Sequence, residues 1–129
     1  MTREDKELLL KDLCSRLPHG VKCNALLKQI DGSLKSTFGT LKGYNNGYAT
    51  VGQNLVDIET IRPYLRPVSS MTEEEKIDYQ AFFNYDGVEY PEEYIDWLNA
   101  HHFDYRGLIG KGLAIEVTEE NNPYRPYKI

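Results

Sequence analysis

Four short strand-like runs between tight turns, all lying between Gly20 and Leu65, constrain this fold more than any other feature of the chain. VKCNALLKQI leads to a turn at Asp31-Gly32, and SLKSTFGTLKGY leads to Asn45-Asn46-Gly47. YATVG leads to a turn near Gln53-Asn54, and LVDI closes the series. Asn and Gly tolerate the positive φ that hairpin turns need, so Asn45-Asn46-Gly47 marks a hairpin. Runs this short cannot bury two faces as a flat sheet, which predicts a small closed or half-closed barrel. DIETIRPYL reads as a single helical turn ended by Pro63.

The flanking segments read as helices. Over Thr2 to Leu17, the residues Leu9, Leu10, Leu13 and Leu17 recur at helical spacing, with Lys6, Glu7, Lys11 and Asp12 largely elsewhere. Thr2 can cap this helix, with Asp5 three residues on. Thr72 and Glu75 have capping-box spacing, and Glu73 to Glu75 suit the positive end of a helix dipole. That helix is expected to run through Ile77, Phe82 and Phe83 to about Asp86-Gly87. Pro91 suits a first turn, and EEYIDWLNAHH places Tyr94, Ile95, Trp97 and Leu98 on an aromatic-rich core face. Asp104 can cap a short helix, YRGLIGK, stopped by Gly112. LAIEV reads as a last strand completing the barrel, and NNPYRPYKI as an extended tail.

Two resemblances follow from these residues. The run from Gly39 to Val51, GTLKGYNNGYATV, resembles the central hairpin of SH3-like small barrels and has the rhythm of Sm-type proteins. The rest of the Sm pattern is absent, so RNA binding is not implied. IETIRPYLRPVSSMTEEEK and WLNAHHFDYRGLIGKGLAIE resemble a family of uncharacterised small proteins of gut anaerobic bacteria and their prophages. This second resemblance implies a bacterial or prophage origin and supplies no catalytic residues. The expected fold is α+β and a single compact unit. It comprises an N-terminal helix (1–17), a small SH3-like β-barrel (18–66), helices packed on it (67–113), and a short strand with an extended tail (114–129).

Charge divides along the same line. Residues 18–66 carry Lys22, Lys28, Lys35, Lys42, Arg62 and Arg66 against Asp31, Asp57 and Glu59, a net of +3, whereas residues 67–129 net −8. The expectation is that the acidic half lies partly against the basic barrel. A calculated pI near 5.2 argues against wholesale coating of nucleic acid but leaves room for a local basic face. No stretch approaches the length of a membrane span, and the charged N-terminal run lacks the apolar core of a secretory signal. With Cys14 and Cys23 the only cysteines, a disulfide scaffold is not expected, and a cytoplasmic location fits.

No constellation with catalytic spacing is visible. His101 and His102 are adjacent, so on a helix they point about 100° apart and do not chelate one metal. The reading is one imidazole packed near Trp97 and the other exposed. Neither cysteine lies in an enzyme signature, and the glycines at 107, 110 and 112 do not form a phosphate loop. No catalytic residue, metal or cofactor is therefore assigned. Candidate binding residues are Lys22, Lys28, Lys35, Lys42, Tyr44 and Tyr48, since lysines neutralise phosphates and tyrosines stack on bases. The expected function is a non-enzymatic protein-interaction or regulatory module with a protein partner. The alternative is a nucleic-acid-associated accessory protein using the basic barrel face.

Overall fold

A computed structural model describes residues 1–84, 87–88 and 91–124. The architecture is α+β: an N-terminal helix, a largely open, mainly antiparallel sheet, and C-terminal helices. Helix α1 spans Arg3–Arg16, and the Thr2 hydroxyl accepts the Asp5 N–H at its start. Strands β1 (Lys22–Lys28), β2 (Leu34–Asn45), β3 (Tyr48–Val51) and β4 (Asn54–Asp57) follow as successive antiparallel neighbours. Asn46 and Gly47 turn β2 into β3 with φ of 51° and 84°, the left-handed pair their types favour.

A fifth strand was not expected. β5 (Arg62–Pro67) contains two prolines, yet it pairs antiparallel with β1 through Cys23–Pro63 and Asn24–Arg62. The contact covers only these two pairs, so the missing N–H of Pro63 interrupts little of a ladder. The predicted helical turn is confined to Ile58–Thr60, ahead of this strand. Two further two-residue strands, β8 (Phe103–Asp104) and β9 (Ile115–Glu116), add to β5 in parallel.

The strand order is therefore β4-β3-β2-β1-β5-β8, with β9 also on β5. Among the described residues β4 pairs only with β3, so the hydrogen-bonded path has two ends, and of the closed or half-closed barrel expected the closed form is not shown. LAIEV supplies a strand that joins β5 and leaves the open end at β4 unmatched. What the sheet does have is strong curvature. β2 changes partner between Thr40, the last residue paired with β1, and Leu41, the first paired with β3, and a bulge between Leu41 and Gly43 follows at once.

The concave side packs on α1. Leu9 and Leu13 meet Val21, Cys23, Ala25, Leu41, Val51, Val56, Ile58, Ile61 and Leu65 in one buried cluster. A second cluster gathers Met71, Leu98 and Phe103 with Tyr79, Tyr94, Ile95, Trp97 and Tyr105. It is built by α2 (Glu73–Gln80) and α3 (Pro91–Ala100), with a short hairpin of β6 (Phe83–Asn84) and β7 (Gly87–Val88) between them. Helix α2 opens with a reciprocal Thr72–Glu75 capping box and stops at Gln80, so Phe82 and Phe83 fall beyond it. Asp86, where its end was expected, and residues 125–129 of the tail lie outside the described residues. Trp97 is half-buried and stacks on Phe103 at 5.7 Å. Asp104 does cap the chain after it, its carboxylate accepting the N–H groups of Leu108 and Ile109.

Candidate functional site

Alternation sorts the side chains of β1, β2 and β5 onto two faces. Cys23 and Ala25 point to the core with Pro63 and Leu65 on β5. The opposite face carries Lys22, Asn24, Leu26 and Lys28 on β1, and Leu34, Ser36, Phe38 and Thr40 on β2. Arg62 and Tyr64 continue that face on β5. Four large apolar side chains of the hairpin are exposed: Leu26 at 39%, Leu34 at 60%, Phe38 at 51%, and Ile30 fully so at its tip. Phe38 meets Tyr64 edge-on at 5.6 Å, which extends the apolar surface onto β5. Lys22, Lys28 and Arg62 stand in the same rows, and no carboxylate does.

The outer part of this hairpin projects as an arm. Every residue from Lys28 to Ser36 is exposed, so cross-strand pairing and the turn hold it rather than a core. In the turn, Gln29 N–H donates to the Ser33 carbonyl and Gly32 N–H to the Gln29 carbonyl. Asp31 accepts both the backbone N–H and the hydroxyl of Ser33, and these bonds lower its carboxyl pKa. The one acid of the arm is thus engaged in shaping its tip. A two-stranded ribbon with bare aliphatic side chains is marginal in water unless something covers it.

Of the six residues singled out from sequence, Lys22 and Lys28 lie on this outer face, as period two requires. Lys35 pairs with Leu27 and so takes the opposite face of the arm. Lys42 sits at the bulge. Tyr44 shares a row with Ala49 and Val56, whereas Tyr48 shares one with Asp57, so the two tyrosines are on opposite faces. The structure therefore brings together two of the four lysines and adds Arg62, Leu26, Leu34 and Phe38, which the sequence reading passed over. Strand alternation was the signal available for these apolar residues. Among the described residues the four lysines make no carboxylate ion pair, and Arg66–Glu75 at 2.6 Å is the one bridge from the basic strands into the acidic helices.

A second constellation lies inside the molecule. Asp12 is fully buried, not on the solvated side of α1 as its polarity suggested. Its carboxylate accepts from Arg16 Nε at 2.8 Å and from Arg106 Nη1 at 2.9 Å, while Arg16 Nη2 donates to the Phe103 carbonyl. Both guanidinium groups flank the Tyr105 ring. Arg16 Nη1 is buried without a partner among the described residues.

The histidines diverge, as adjacency implied, but neither is fully exposed. His101 packs 4.3 Å from Trp97, and its Nδ1 lies 2.9 Å from the Trp97 carbonyl. His102, at φ 63°, stacks on Tyr124 at 3.8 Å with rings nearly parallel. Burial, then the Arg16 charge, pushes the His102 pKa down to about 3. Burial is also the main reason the Cys23 thiol is pushed up to about 12, with the Asp12 carboxylate adding to it. This is the opposite of the lowered pKa a nucleophilic thiol uses. Cys14 is exposed rather than packed among the apolar residues of its helix. Among the described residues no group of three His, Cys, Asp or Glu side chains converges as a metal site.

An open depression of about 470 Å³ lies along α3, lined by Pro91, Glu92, Ile95 and Asp96. No helix among the described residues is long and apolar enough to cross a membrane. Comparison with known proteins places the chain in no group: no family model, no curated protein and no solved structure matches it.

Proposed function

We propose that this protein is a non-enzymatic interaction module that binds a protein partner through the outer face of β1, β2 and β5 and the arm continuing it. The observation that carries the reading is the set of exposed anchors Leu26, Ile30, Leu34 and Phe38, flanked by Lys22, Lys28 and Arg62 with no acid in their rows. Apolar anchors inside a charged margin are the composition of an interface, and the sign of the margin selects an acidic partner surface. The SH3-like resemblance of residues 39–51 agrees with a small, strongly curved sheet serving as the scaffold. A bacterial or prophage origin rests on the two stretches that resemble that family. A cytoplasmic location rests on the two free cysteines.

A second reading has its own support. Lys28 and Lys35 occupy opposite faces of the arm, and Ile30 stands at its tip. A basic ribbon with an apolar end suits a nucleic-acid groove. One experiment separates the two. The full chain captures its partner from native lysate, with and without nuclease, beside the double variant Leu34→Ser, Phe38→Ser. A protein partner predicts capture that resists nuclease and is lost in the double variant. Capture that nuclease abolishes transfers the face to nucleic acid.

A further inference from the structure

The apolar, cationic arm has an acidic, partly apolar counterpart elsewhere on the same chain. The depression along α3 is flanked by the carboxylates of Glu92 and Asp96, with Ile95 and Pro91 supplying apolar lining. All four lining residues stand on the first two turns of one helix, so it is a shallow, open surface rather than an enclosed pocket. Glu92 and Asp96 are exposed and in no ion pair among the described residues. The arm residues Lys28, Ile30 and Leu34 are equally bare. Each surface thus offers what the other lacks: aliphatic side chains with cations on one, an apolar floor with carboxylates on the other.

We infer that the occupant of the arm is a second copy of this chain, which receives Ile30 and Leu34 in its α3 depression while Lys28 faces Glu92 and Asp96. This inference rests on the interaction reading above and names the partner. The contact is head-to-tail, because arm and depression are different surfaces. One copy's arm engages the next copy's α3 and leaves a free arm at one end and a free depression at the other. Association is therefore open-ended or ring-closing. Its ionic component weakens as salt rises, because the charges are exposed and screened beyond about 8 Å at physiological ionic strength.

Sedimentation velocity of the full chain over a wide concentration range tests this. The expected result is reversible association beyond the dimer, or a closed ring, weakened by salt. Ile30→Asp on the arm, or Asp96→Lys on α3, each weakens it at least about tenfold, the effect of losing one anchor. The mixture is the sharper measurement. The arm variant keeps an intact depression, and the α3 variant keeps an intact arm. Mixed together, they form a one-to-one heterodimer at concentrations where each variant alone stays monomeric. All substituted positions are exposed, and circular dichroism confirms the fold of each variant. A chain that stays monomeric at every concentration overturns the inference. So does an association that Asp96→Lys leaves intact, which would assign the arm to a symmetric arm-to-arm dimer. The interaction reading is decided separately, by whether Leu34→Ser, Phe38→Ser loses nuclease-resistant capture.

Discussion

Gly39 and Gly52 approach so closely that a β-carbon on Gly39 would lie 2.6 Å from the Gly52 α-carbon. The obstacle is backbone rather than the end of a flexible side chain, so it cannot swing aside. The contact seats the turn between β3 and β4 directly against the backbone of β2. Gly39→Ala is expected to destabilise the protein by about 1–3 kcal/mol, the usual cost of overpacking. Chemical denaturation measures this, and an unchanged midpoint would show that the β3–β4 turn moves away freely.

Asp12 is shared by Arg16, fully buried like itself, and by Arg106, whose side chain keeps 15% of its surface exposed. Removing it leaves a buried guanidinium uncompensated. Asp12→Ala is expected to cost about 3–5 kcal/mol, whereas the paired change Asp12→Leu, Arg16→Met recovers most of that loss. Thermal melts of the two variants provide the comparison. Equal destabilisation by both would mean that packing, not charge, sets the cost.

Lys22 and Tyr64 stand where the next β1–β5 pair would fall, and the Tyr124 hydroxyl joins them. It accepts from Lys22 N–H at 3.1 Å and donates to the Tyr64 carbonyl at 2.7 Å. Tyr124→Phe keeps the ring stacked on His102 but leaves both backbone groups without this partner. The expected cost is about 1–3 kcal/mol. Hydrogen exchange at the Lys22 amide should accelerate, and an amide as slow as the parent's would refute the bridging role.

The depressed pKa of His102 gives stability a pH dependence of determined sign. The unfolded chain protonates this ring near 6.5, the folded one only near 3. Between those values the unfolded state binds more protons, so stability falls as pH drops through that window and is fully present above it. The slope from this one group is at most about 1.4 kcal/mol per pH unit. His102→Asn tolerates the positive φ and removes the titration. Melting temperature should then decline less between pH 7 and pH 5 than in the parent. Parallel curves would exclude His102 as the source.

Local chemistry was legible where it decides locally. Thr2 and Thr72 are helix caps because short hydroxyl side chains reach orphan N–H groups, and Asn46-Gly47 is a hairpin because of φ alone. β5 was hidden because Pro63 and Pro67 remove donors, and only the brevity of its pairing makes that tolerable. Two-residue parallel pairs such as Arg66–Phe103 leave no periodic trace in sequence. Asp12 looked solvated because its partner Arg106 lies far along the chain. For the candidate site, alternation already united Lys22 with Lys28. That their face is left uncovered depends on where α1 docks, which no strand pattern reports.

The parallel attachment of β8 and β9 to β5 also orders events during synthesis. When Arg62–Pro67 leaves the ribosome, its partners Phe103–Asp104 and Ile115–Glu116 have not been made. Arg16 likewise waits for the Phe103 carbonyl and for Arg106 to share Asp12. The nascent first half therefore carries an unpaired strand edge and an exposed aliphatic arm together. It is most open to wrong pairing with neighbouring nascent copies. Premature termination between Pro67 and Phe103 would leave that vulnerable state as the end product.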